Sequence, residues 1–505
     1  MTRAFYTECL HMEVGAAGVP ARFILDSVSM STPTASPTIV WFRDDLRIRD
    51  NAALTWAAGR GPVIGLFIDE DQPRPLGGAA RWWRERSLGM LVDALATHGV
   101  PLLRRSGDPV VVVAEVARET GADAVTWNRR YHGPLREVDA EIKTQLREQG
   151  LEVHSHAGFL LTEPWEVTSG AGTGYKVYTP FSKAAFPLAE ESAARLGDPM
   201  PAHLSGPDTP VAESGWAPAP EPFWAAEMAT HCHPGEQAAL DRLGDFLDLM
   251  RERGGYADGR DEMARAVTSG LSPHLRFGEI SVHRVWAEVT AAADAGDIDA
   301  NDAQVFCREL LWRDFAWHRL YALPDMATTN VREQFNRFGW AWDDHEATLL
   351  ADGRHPLSPT SSDEFHVALA AWRAGRTGIP LVDAGMRELW ATGSMHNRTR
   401  MVVASFLTKN LQIHWRHGEE WFWETLVDAD PASNAFNWQW AAGSGDDASP
   451  YFRIFNPETQ AKKFDPDETY IRRWIPEYGT PDYPAPIVDL KDSRREALDA
   501  YEAVK

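Results

Sequence analysis

Two tryptophans one residue apart, Trp438 and Trp440, stand in the stretch SNAFNWQWAAGSGDDASPYFRIFNP (433–457), among asparagine, serine, glycine and aspartate. Most tryptophans in a globular chain are core or interface packing. A core pair would sit in an amphipathic frame, and this segment shows none. Aromatic faces beside positive charge are what nucleobases stack on, and indoles in a row can relay an electron. The polar surroundings permit a backbone that is neither strand nor regular helix. That would let residues two apart serve separate partners.

Three other stretches carry candidate chemistry. In TSGLSPHLRFGEIS (268–281), Ser272 followed by Pro273 reads as a helix start with a hydroxyl cap. Thr268, Ser269 and Gly270 precede it and Leu271 lies between, so an anion could meet free N–H groups there. The same residues equally suit a plain capped helix. LVDADP places Asp428 and Asp430 at alternate positions, and MHNRTR supplies Arg398 and Arg400. Neighbouring His and Cys lack ligand spacing, so no metal is expected. An Arg–Asp pair beside a polar, planar ligand is the better use. The segment 395–417 holds Arg398, Arg400, Lys409 and Arg416 and no acid, although the formal net charge of the chain is −23. A protein coating nucleic acid non-specifically is therefore excluded, whereas a local basic patch is not.

Elements must position these residues. TIVWF (38–42), PVIGLFI (62–68), VPLLRR (100–105), DAVTW (123–127) and LEVHS (151–155) are short apolar runs separated by helix-like stretches such as 79–99 and 134–150. That alternation predicts a doubly wound parallel sheet over 38–164. Residues 165–235 are rich in Pro, Gly, Ala and Ser and read as a long connector. From 236 to about 490 the pattern is helical almost throughout, with a short tail over 491–505. The fold class is an α/β domain followed by an all-helical one. Residues 1–37 are expected to be a disordered extension without a signal-peptide pattern. No apolar run is long enough to span a bilayer, and the scattered Cys9, Cys232 and Cys307 offer no disulfide framework, which fits a cytoplasmic protein.

WFRDDLRIRDNAAL (41–54), TGIPLVDAGMREL (377–389), MHNRTRM (395–401) and WQWAAGSGDDASPYFRIFNP (438–457) resemble the photolyase–cryptochrome family, over about 38–477. The resemblance implies FAD in the helical domain and a DNA partner carrying pyrimidine dimers, repaired under blue light by electron transfer from reduced FAD to a flipped-out dimer. Enzymes of this family take the damaged bases out of the helical stack to reach them. Tyr256 and Thr268 to Ser272 are similar to the FAD phosphate site. Arg400 and Asp428 resemble the pair beside the isoalloxazine ring, with Asp430 in the same segment. Asn434 matches the residue facing flavin N5, where plant-type cryptochromes have Asp. Glu309 and Trp312, in RELLWRDF, match the carboxylate and one aromatic wall of the lesion pocket. Asn397, Met401 and Trp440 complete it, while Arg260 and Arg398 resemble DNA-backbone contacts. Trp438 and Trp415 fit the electron relay.

The match departs in places. Ser394 and Ser182 stand where aromatics are common. The third relay tryptophan is replaced by Ser362, and an insertion (346–365) makes Trp342 its candidate, with Trp340 in reserve. Arg49 and Arg129 replace the histidine and glutamate of the folate-type antenna pattern, so a second chromophore is a deazaflavin or a folate, or the cleft is empty. Asn397 and Met401 occupy the positions of the histidine pair of (6-4) repairers. Neither can be a general acid, which points to cyclobutane dimers. The runner-up is a cryptochrome-like blue-light photoreceptor that binds FAD without repair. A nicotinamide-dependent flavin oxidoreductase is disfavoured because no GxGxxG follows the first strand. A monomer is expected.

Overall fold

The computed structural model describes residues 36–505 apart from Pro73, 209–216, Pro218, 344–361 and 448–451. Most of the expected leading extension and of the insertion before Trp372 lie outside the described residues. Among those that are described, 36–505 form one compact unit.

Five apolar segments form a single parallel sheet: β1 (Thr38–Phe42), β2 (Val63–Asp69), β3 (Leu102–Ser106), β4 (Ala124–Asn128) and β5 (Glu152–His156). Their order is β3-β2-β1-β4-β5, with Thr38 level with both Val63 and Ala124. The crossovers are α1 (Ala52–Ala58), α2 (Gly78–Ala96), α3 (Pro109–Thr120) and α4 (Gly133–Glu148). Every residue of β1 is buried, because a parallel sheet is covered on both faces. Alternation then sorts its side chains. Ile39 and Trp41 pack under α3, whereas Val40 and Phe42 join the core that continues into the helical half through Trp372, Trp415 and Trp438.

The segment expected as a connector contains a 17-residue helix, α5 (Tyr178–Ala194). Its buried residues Tyr178, Phe181, Ala185, Ala189 and Ala193 keep helical spacing, but three of the five are alanines, so the apolar signal is weak. After α6 (Ala225–Met228) come α7 (Glu236–Arg253), α8 (Tyr256–Gly259), α9 (Ser272–Arg276), α10 (Val282–Asp294) and α11 (Ala300–Ala322). Then follow α12 (Asp363–Arg373), α13 (Pro380–Thr392), α14 (Asn397–Ser405), α15 (Trp415–Thr425), α16 (Ser433–Ala442), α17 (Pro457–Phe464), α18 (Thr469–Trp474) and α19 (Leu490–Glu502).

Trp438 and Trp440 both lie in α16, which corrects the expectation of an irregular backbone. Asp430 holds the start of this helix by accepting N–H bonds from Ala432 (2.9 Å) and Ser433 (2.7 Å), and Gly443, at φ 94°, ends it. Residues two apart on a helix point about 200° away from each other. Regular helix therefore separates the two indoles better than an irregular loop would. The amphipathic frame is missing because both faces of α16 are covered.

Helices α15 and α16 approach so closely that a Cβ on Gly418 would lie 2.1 Å from Cη2 of Trp438. Glycine in a helix ordinarily costs about 1 kcal/mol relative to alanine. Here the sign reverses: Gly418→Ala is expected to destabilise the protein by about 1–3 kcal/mol through overpacking. Denaturant midpoints of the two proteins check this, and a stabilised variant would mean that Trp438 does not lie over Gly418.

Candidate functional site

The basic motif opens α14, and its cap is His396. Its Nδ1 accepts the Arg398 N–H (3.2 Å), so the neutral imidazole is the capping species. Burial, more than any nearby charge, pulls this histidine down to about 4. Asn397 is exposed, and Arg398, Arg400 and Met401 are half-buried on the same helix. Arg400 donates to Met395 O (2.8 Å) and to Oδ2 of Asp428 (2.9 Å). Oδ1 of Asp428 is buried without a protein partner. Asp430 differs. Besides starting α16, it accepts the Trp317 indole N–H (3.1 Å), so both its oxygens serve the fold.

Asn434 is positioned by a residue that the motifs did not mark. Its amide nitrogen donates to the backbone oxygen (3.0 Å) and Oε1 (2.8 Å) of Glu419. Both partners only accept, so the NH₂ end must face them and the amide oxygen points away. Glu419 is fully buried and receives a two-pronged bond from Arg74 (2.8 and 2.7 Å), which lies 345 residues away in the chain. Asn434 and Trp438 are one helical turn apart and share a face. Trp440, on the other side, is half-buried near Phe455.

The Thr268–Ser272 segment departs from the expected helix start. Ser272 is the first residue of α9, not its cap. Leu271 takes the cap position with no side-chain bond, because the helix begins one residue earlier than the Ser-Pro pattern implies. Leu271 is core; Thr268, Gly270 and Ser272 are exposed, and Ser269 is half-buried. Gly270 has φ +64°, and a Cβ there would meet the Arg242 guanidinium at 2.7 Å. Arg242 also donates to Ser269 O (2.7 Å), adding a positive charge that sequence reading missed. Tyr256 is buried at the start of α8, and the next N–H is held by Asp302 (2.7 Å). The Thr268–Ser272 segment connects to the Asp428–Asp430 segment through Arg276, whose Nε donates to Ala429 O (2.8 Å).

Glu309 and Trp312 lie one turn apart on α11, both half-buried. Arg260 donates to Glu309 and Arg398 donates to Asp261, so both arginines expected at DNA are already paired with carboxylates. Burial pushes the Glu309 carboxyl above its usual range against the opposing pull of Arg260. Among the tryptophans, Trp438 lies 6.1 Å from Trp372 between ring centroids. Trp415 and Trp342 flank His414, at 5.5 and 4.7 Å. Trp342 is fully buried and Trp340 is 2% exposed.

A cleft opens at the carboxyl ends of β1, β2 and β4. The strand order reverses between β1 and β4, which is where ligands bind in open α/β sheets. Arg43, Arg74, Arg129, Arg130 and Arg276 line it together with Phe159, Trp317 and Trp423. This is a setting for a planar anionic group. Arg129 is among its lining residues; Arg49 is not, and its backbone N–H bonds Glu236 (2.7 Å). Among the described residues, no cluster of three or more His, Cys, Asp or Glu could hold a metal, and no helix is long and apolar enough to cross a membrane.

Residues 306–480 match the family model described as the FAD binding domain of DNA photolyase, and 38–202 match that described as DNA photolyase. The chain is 44% identical to a deoxyribodipyrimidine photo-lyase of Agrobacterium fabrum, over 94% of this chain and 99% of that protein. It is 36% identical to Cryptochrome-1 of Arabidopsis thaliana, over 87% of this chain and 63% of that protein. The crystal structure of a bacterial class III photolyase from Agrobacterium tumefaciens superposes with a TM-score of 0.83 at 43% identity, covering 95% and 99% of the two chains.

The capping histidine sets a pH dependence. His396, like the buried His283 and His318, is lowered to about 4 in the folded protein, chiefly by burial. Between pH 6.5 and 4 the unfolded chain binds protons that the folded chain refuses, so stability falls as pH falls through that window. Each such histidine is expected to contribute roughly 1 kcal/mol per pH unit. His396→Asn keeps a capping side chain and removes one share of the slope. Denaturation midpoints at pH 7 and pH 5 check this; an unchanged slope would place His396 in solvent.

Proposed function

The chain belongs to the DNA photolyase family, and from that premise we propose that it splits cyclobutane pyrimidine dimers in DNA under blue light. The observation that carries this reading is the two-sided helix α16. Asn434 and Trp438 face one way and Trp440 faces the other.

The residues fit FAD. Asp428 keeps a buried oxygen with no protein partner beside the Arg400 guanidinium. The Gly270 turn leaves room that a Cβ would fill and holds Arg242 against Ser269 O. Tyr256 and the N–H groups of 268–272 would receive the phosphates, with Arg242 supplying positive charge. Arg400, Asp428 and the outward oxygen of Asn434 would hold the ring system. Bound FAD, once reduced and excited, supplies the electron chemistry of repair.

The protein's own share is recognition and electrostatics. Trp312 and Trp440 stack on the two bases of a flipped dimer, and Asn397 and Met401 line the remaining sides. Glu309 hydrogen-bonds the lesion where negative charge develops. Burial raises its carboxyl against the pull of Arg260, its partner in the structure. Neither Asn397 nor Met401 can act as a general acid, which favours a cyclobutane dimer over a (6-4) photoproduct. The arginine-lined cleft suits an antenna chromophore, a deazaflavin or a folate with an anionic tail, and the protein acts as a cytoplasmic monomer.

One observation favours a second reading. Arg260 and Arg398 are already paired with Glu309 and Asp261, and the chain carries −23 overall, as suits a blue-light sensor that binds DNA weakly. Illumination of the reduced protein with an oligonucleotide carrying one thymine dimer separates the two. Restored thymine absorbance in blue light, and none in the dark, is expected; no restoration with a reducible bound flavin would favour the sensor. Glu309→Ala is expected to lower the repair yield at least about tenfold without loss of FAD, the loss of one strong charge-stabilising contact.

A further inference from the structure

A half-exposed indole is a useful wall only if its plane is fixed, and the helix that carries Trp312 does not fix it. Tyr178 does. Its ring lies parallel to Trp312, with centroids 3.5 Å apart and planes 7° apart. The phenol donates to the backbone oxygen of Arg308 (2.7 Å), and Tyr178 is only 8% exposed. Phe315 packs edge-on against both rings, at 5.9 Å from each. One face of Trp312 is therefore closed, and its rotation about the side-chain bonds is blocked.

The same segment also reaches the opposite wall. The backbone N–H of Tyr178 faces the Asp447 carboxylate and opposes the burial that raises it. Arg319 bridges Tyr175 O (3.2 Å) and Asp446 (2.7 Å). Asp446 and Asp447 belong to the turn directly after α16, the helix of Trp440. Residues 175–178 thus touch the backing of both aromatic walls.

We propose that Tyr178 is a positioning residue for lesion recognition: stacked behind Trp312 and tied to the turn behind Trp440, it sets the gap that admits a cyclobutane dimer and fits a single base poorly. This rests on the reading of Trp312 and Trp440 as lesion walls. A pyrimidine entering against the other face of Trp312 would complete a three-ring stack. The rings of Tyr178, Trp312 and Phe315 include none of the residues expected at the flavin, so loss of the stack should act on dimer preference and leave FAD in place.

The experiment compares binding to a duplex with one thymine dimer and to the same duplex undamaged, for the FAD-loaded wild type and three variants. Tyr178→Phe keeps the parallel ring and drops the bond to Arg308 O. Tyr178→Leu fills most of the space without stacking, and Tyr178→Ala does neither. Tyr178→Ala and Tyr178→Leu are expected to lower the ratio of dimer to undamaged affinity about tenfold, a typical worth of one stacked ring. Tyr178→Phe is expected to keep it. Bound FAD and affinity for undamaged DNA should not change in any variant. A ratio unchanged in Tyr178→Leu, or restored by leucine as fully as by phenylalanine, overturns the proposal, because packing alone would then suffice. A wild type without dimer preference overturns instead the reading of the walls on which it rests.

Discussion

The site depends on one constraint: a helix turns about 100° per residue, so positions i and i+4 share a face while i and i+2 oppose each other. In α16 this puts Asn434 and Trp438 on one side and Trp440 on the other. The consequences spread outward. The Trp438 ring needs a neighbour without a Cβ, which Gly418 supplies. Asn434 needs an acceptor to orient its amide, and the next residue, Glu419, supplies it. That buried carboxylate needs a cation, which arrives as Arg74 from the loop after β2. The sheet therefore helps to aim an amide in the helical half.

Charge is handled by the same internal pairing. Leaving a buried charge unpaired is costly, and in this acidic protein the arginines of the site mostly have carboxylate partners: Arg74 with Glu419, Arg400 with Asp428, Arg260 with Glu309, Arg398 with Asp261. In the function proposed above, two of these pairs, Arg260–Glu309 and Arg398–Asp261, meet the DNA backbone. Binding DNA would exchange one anion for another, and Glu309 would lose its cation as a lesion approaches. Its carboxyl, already raised by burial, would rise further.

The central strands β1, β2 and β4 were legible because a parallel strand buried on both faces is a continuous apolar run, unlike the edge strands β3 (LLRRS) and β5 (EVHSH). All five strands lie within a residue or two of their expected places. The Arg400–Asp428 pair was legible only through motif resemblance. Helix α16 was not, since a helix covered on both faces loses its period, and Asn, Gln and Gly mimic a loop. Helix α5 was missed because its core face is mostly alanine, with Pro180 and Pro187 along it. The Arg74–Glu419–Asn434 chain spans too much sequence for any local pattern to reveal it. Ser272 was placed one residue off, as helix ends often are.

The central claim is that the two faces of α16 serve different partners. Its most direct test measures two properties, the visible spectrum of the bound flavin and the preference for dimer-containing over undamaged duplex, in Trp438→Phe and Trp440→Ala. Trp438→Phe should alter the flavin spectrum and leave the dimer preference intact. Trp440→Ala should lower that preference about tenfold and leave the spectrum intact. If either substitution moved both properties together, or if the effects were reversed, the separation of the two faces would be wrong.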